Sequence, residues 1–136
     1  MTREKYYRLL FLFAAIWAWL VSVPYVLVYR YTFPMVGMRV PESPVWFIFS
    51  CLCVATFGLG YFIVSRDIEK NQGIVIIGTV GKIMVFALFL YGTMAEEISP
   101  LLMINAVADL VFAALFAEFL LYERKRAEGS VAAHRS

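Results

Sequence analysis

Residues 74–91 read IVIIGTVGKIMVFALFLY, eighteen positions with a single charge, Lys82. At 1.5 Å rise per residue such a run spans ~27 Å as a helix, close to the ~30 Å hydrocarbon core of a bilayer. Lipid offers no partner to a backbone amide, so the run is expected to be a transmembrane helix. Three more segments have the same character: 9–29, 45–64 and 101–122. Turn and charge signals separate them. Pro34, Gly37, Pro41 and Pro44 follow the first, Arg66 to Gly73 the second, and Gly92 to Pro100 the third. The expectation is one all-α domain, a four-helix membrane bundle, with a polar tail over 123–136.

Composition agrees. The 136 residues are 62% hydrophobic and 16% charged, with mean hydropathy +0.78. Soluble domains carry about 25% charge, so a soluble globular enzyme and a disordered tail are both excluded. The net charge of +2 gives no reason to expect nucleic acid as a partner. Cys51 and Cys53, the two cysteines, sit two apart on one helix and point to different sides. They cannot bridge, and they read as small packing residues.

The basic residues orient the chain. Arg3, Lys5, Arg8, Arg66, Lys70, Arg124, Lys125, Arg126 and Arg135 fall on one side of a four-span topology, and Arg30 and Arg39 on the other. That bias predicts both termini in the cytoplasm, with the bacterial inner membrane as location. The basic start resembles a signal peptide, but the apolar run is too long and no small-residue cleavage site follows, so an uncleaved span is expected. Most tyrosines and Trp46 lie near span ends as an interfacial belt, while Trp17 and Trp19 lie deeper.

Three ionisable residues fall inside spans: Lys82, Asp109 and Glu118. Charges there are costly and mark functional positions. Lys82 lies ~12 Å from the cytoplasmic boundary and Asp109 ~12 Å from the outer one, leaving them ~6 Å apart in depth. An ion pair between the third and fourth spans is the expected resolution. Asn105 stands one turn before Asp109, and Thr56 and Ser22 come out at similar depth, which suggests a shared polar cluster. Glu118 is expected to meet Lys70 or the Arg124-Lys125-Arg126 group. The pair is either a staple fixing helix register or a proton relay or ligand counter-ion.

Small residues mark contact surfaces. Gly78 and Gly81 flank Lys82, Cys51, Ala55 and Gly58 recur on the second span, and Ala15, Ala18 and Ser22 on the first. Self-association through these strips is expected, as is a bend at Pro24.

The sole histidine, His134, lies in the tail, so no His-ligated metal or haem site can form in the membrane. No cofactor and no metal are expected. Residues 78–82 resemble a phosphate loop, but Ile76 and Ile83 stand where glycine and a hydroxyl residue are required. Small multidrug transporters use an acidic residue in the first span, which is missing here. The E-R-x-x-x-N type motif of glutathione-handling four-helix enzymes is missing too. In size, span number and the placement of Gly58-Leu59-Gly60-Tyr61 and Gly81-Lys82, the chain resembles DoxX-like small bacterial inner-membrane proteins. The expected function is that of a non-catalytic accessory subunit or small lipophile-binding protein. Its expected partners are membrane lipid and a second copy or another membrane protein. The alternatives are an oligomeric proton- or ion-coupled transporter or channel, and a membrane enzyme acting on lipid or quinone.

Overall fold

The computed structural model describes residues 1–135, and all of its regular structure is helical. Helix α1 spans Arg3–Leu20, α2 Val23–Met35, α3 Val45–Arg66, α4 Gln72–Met94 and α5 Met103–Arg135, with a 3-10 turn at Pro100–Leu102 before α5. Helices α3 and α4 and the stretch Pro100–Arg135 are long and apolar enough to cross a membrane. The pair α1–α2, bent by 43°, makes a fourth crossing if it is one broken span.

The first apolar segment departs from its expected single helix over 9–29. Its helix begins earlier, at Arg3, where the Thr2 hydroxyl accepts from the Lys5 amide and Glu4 pairs with Arg8 at 2.9 Å. It then breaks at Val21–Ser22. Proline at 24 has no N–H for the Leu20 carbonyl and its ring crowds that carbonyl, so the chain restarts with Pro24 in the first turn of α2. A second irregularity follows at Val28 (φ −123°, ψ 18°), and Gly37, at φ +76°, closes the segment. At the other end of the chain, α5 runs past the apolar limit at Tyr122. The expected tail 123–136 is helical through Arg135, and Ser136 lies outside the described residues.

Packing follows chain order. Helix α1 lies close along α3, and α4 close along α5. The first pair can approach because Gly58 faces Ala18 and Trp19; a Cβ on Gly58 would stand 2.7 Å from the Trp19 indole nitrogen. That indole donates to the Ala55 carbonyl at 3.1 Å. The small-residue strips of the first two spans therefore meet each other inside the chain. Within the chain Gly58 and Ala18 thus serve to pack α1 on α3.

The two pairs are joined by large side chains. Phe11 packs on Phe116 and Phe119, Tyr7 on Phe119 and Tyr122, and Tyr61 on Phe116. These residues, with Val64, Ile68 and Val75, form the core. At its edge Arg126 reaches Glu69 at 2.8 Å, and the Arg3 guanidinium lies over the Tyr122 ring. The start of α1, the 67–71 loop and the 122–126 turn of α5 thus share one basic end. The core occupies the half of the molecule next to it. Among the described residues none of α2 is buried, and its ring contacts to other helices run to Phe47 of α3 alone. Much of the remaining apolar surface faces outward, Leu27, Ile77 and Leu88 among it. Water would not tolerate so much exposed apolar surface; hydrocarbon would.

Candidate functional site

Lys82 extends from α4 into the seam with α5, and its ammonium makes an ion pair with Asp109. The lysine side chain is 10% exposed and the aspartate 22%. Two rings wall the ammonium: Tyr61 at 5.4 Å and Phe112 at 5.1 Å, centroid distances within reach of cation–aromatic attraction. Tyr61 can lie there because position 78 has no side chain. A Cβ on Gly78 would come within 2.7 Å of its ring. One turn separates Gly78 from Lys82, so the same helix face seats the tyrosine and supplies the cation. Phe112 lies three residues past Asp109 and shares its face in the same way.

Sequence reasoning missed Tyr61 and Phe112. Tyr61 reads as part of the interfacial belt, and Phe112 as one apolar residue among many. The usable signal was the pairing of Gly78 with Lys82 on one face, which asks what large group fills the space left by glycine. Gly81 differs from its expected role. The nearest neighbour to a Cβ there is Phe57 at 3.8 Å, an ordinary contact.

The wider polar cluster does not assemble. Asn105 stays one turn from Asp109, half-buried, but among the described residues its side chain makes no hydrogen bond to Asp109, so its amide is left with capacity. Thr56 is at the expected level but on the wrong side of α3. Its hydroxyl donates to the Leu52 carbonyl at 2.9 Å, and the residue lines an open apolar groove of about 520 Å³ with Phe49, Cys53, Gly60 and Ile77. Ser22 is buried, but its hydroxyl donates to the Ala18 carbonyl at 2.6 Å, beside the break. Its depth is wrong as well. Phe13 meets Phe112, and counting 1.5 Å per residue from that contact puts Ser22 ~9 Å beyond Asp109.

Glu118 also finds a different partner. The Tyr7 hydroxyl donates to it at 3.2 Å. Three of the four basic residues expected to meet it are engaged elsewhere: Lys70 with Asp67 at 3.1 Å, Arg124 with Glu128 at 3.0 Å, and Arg126 with Glu69. Tyr7 became available because α1 includes it. The Lys70 hydrogen bond holds the Asp67 carboxyl below its ordinary value, and the Glu69 hydrogen bond raises Arg126 further.

Among the described residues no group of three or more His, Cys, Asp or Glu is placed to hold a metal ion. Cys51 and Cys53 are both free thiols. What the site offers is a charge-balanced ion pair with aromatic walls and hydrogen-bonding capacity to spare. Such a site can fix one helix packing, exchange a proton, or hold a small polar group. Comparison with known proteins identifies no relative: no protein-family model matches the chain, and no curated protein or solved structure matches it either.

Proposed function

We propose that this chain is a non-catalytic multi-pass protein of the bacterial inner membrane, a small binding or accessory protein for a lipophilic molecule. In this reading α1–α2 is one broken span, four spans form the bundle, and both termini are cytoplasmic. The gathering of Arg3, Arg66, Lys70 and Arg124 to Arg126 toward one end supports that orientation. The outline resemblance to DoxX-like proteins belongs to the same reading, as does association with a second copy or another membrane protein.

The observation that carries the proposal is the Lys82–Asp109 pair between Tyr61 and Phe112, within two apolar helices. The Asp109 side chain keeps 22% of its surface open, which leaves the pair reachable from the lipid side. The test is the lipid content of protein extracted in native nanodiscs. Wild type should carry a specific lipophile that the Lys82→Met/Asp109→Asn double variant lacks. Indistinguishable profiles would overturn the proposal.

The same exposure favours one second reading, a proton-coupled transporter working as an oligomer. A partly open carboxylate beside an ammonium can exchange a proton with a side path. Proton flux in proteoliposomes that disappears with Asp109→Asn would select this reading over the first.

A further inference from the structure

We infer that the Lys82–Asp109 site receives the uncharged polar end of a long-chain lipophile, a carbonyl or hydroxyl oxygen carried on an apolar tail. This rests on the ligand-binding reading above and specifies the class of ligand.

Charge balance comes first. Lys82 and Asp109 neutralise each other. The nearest other acid in α5, Glu118, is nine residues farther along and accepts from Tyr7. An anionic or cationic headgroup would add an uncompensated charge in hydrocarbon, where each costs several kcal/mol or more. An uncharged group carries no such cost.

Hydrogen-bonding capacity comes second. An ammonium has three N–H donors, and a carboxylate about four acceptor sites. Among the described residues the Lys82–Asp109 hydrogen bond is the one the protein provides to this ammonium. The Asn105 amide, one turn along α5, adds two donors and an acceptor. In hydrocarbon these groups gain from any oxygen brought to them, because the competing solvent has none. One carbonyl or hydroxyl can accept from Lys82 or Asn105, and a hydroxyl can also donate to Asp109.

The approach is set by shape. Tyr61 and Phe112 cover the ammonium from the core side, and the more open member of the pair is Asp109. The polar end therefore enters past Asp109, with the tail lying in the lipid.

The experiment uses the full chain in nanodiscs with side-chain ¹⁵N-labelled lysine. Of the signals from Lys5, Lys70, Lys82 and Lys125, that of Lys82 is assigned by its loss in Lys82→Met. Four probes with one tail length are titrated: hexadecan-1-ol, heptadecan-2-one, hexadecyl sulfate and hexadecyltrimethylammonium. The two neutral probes should shift the Lys82 signal saturably, and the two ionic ones should not. Asn105→Leu, which leaves the pair in place, should weaken the neutral probes about tenfold, the worth of one hydrogen bond. Saturable binding of either ionic probe at equal or higher affinity would overturn the neutral-head inference while leaving the ligand site standing. A Lys82 signal indifferent to all four probes would overturn both.

Discussion

The cost of an unpaired charge in hydrocarbon governs the behaviour of Lys82 and Asp109. Lys82→Met or Asp109→Asn alone strands a partner, and each should destabilise the fold by ~3–5 kcal/mol. The double variant should regain much of that loss. Unfolding measured in bicelles for all four proteins gives the coupling energy, and additive effects would show that the side chains do not interact. Gly78 makes a second prediction. Gly78→Ala puts a methyl 2.7 Å from the Tyr61 ring, so the ring must leave the lysine or α4 must shift. The expected cost is ~1–3 kcal/mol, with a displaced Lys82 signal as the local sign; an unchanged signal would show that Tyr61 does not wall the ammonium. The two charges were legible in the sequence because depth can be counted along each helix. Tyr61 and Phe112 were not, because which ring faces the ammonium depends on how neighbouring helices are rotated. Counting cannot supply that phase.

Among the elements, α1 shows how local chemistry can mislead and inform together. The apolar run starts at Leu9, yet the Thr2 cap and the Glu4–Arg8 pair extend the helix back to Arg3. That extension makes Tyr7 a core residue and the partner of Glu118. The bend at Pro24 was readable, and its place, two residues earlier, follows from the clash with the Leu20 carbonyl. The contact between α1 and α3 depends on Gly58. Gly58→Leu would drive a branched side chain into Trp19, so it should lower the stability of the isolated chain by at least ~1–3 kcal/mol. The Trp19 emission should change with it. A variant as stable as wild type that merely altered association would instead place Gly58 on an outer surface.

The connection between α3 and α4 should respond to acid. Folding depresses the Asp67 carboxyl through the Lys70 hydrogen bond. Its contribution is therefore present above the unfolded value, about pH 3.9, and is lost as pH falls through the lower folded value. Both groups are solvent-exposed, so the effect is local and small. Amide exchange over residues 67–71, corrected for the intrinsic rate, should speed up below pH ~4 and stay flat above it. Asp67→Asn should abolish the step; a step that persists belongs to another carboxyl.

For the molecule as a whole, the proposed orientation has a direct check. Reporter fusions at Gly37 and Met94 should read periplasmic, and fusions at Asn71 and Ser136 cytoplasmic. A periplasmic reading at Asn71 would undo both the orientation and the depths assigned to the pair. The helical character and the apolar stretches were plain from composition and run length. The uneven distribution of packing was not, since α2 is no less apolar than α1, which carries much of the core.

The broken first segment has a consequence for the bilayer around it. Its two helices contain 18 and 13 residues, a path of ~47 Å against a hydrocarbon core of ~30 Å. A straight helix of that length would have to tilt steeply or stretch the lipid. With a joint at Val21–Ser22, the outer piece can lie over while the anchored piece keeps its angle. In the proposed four-span reading, thickness mismatch would be taken up at this joint instead of being passed to the ion pair. In thicker membranes the joint should straighten, and in thinner ones fold further, with Lys82 and Asp109 undisturbed in either.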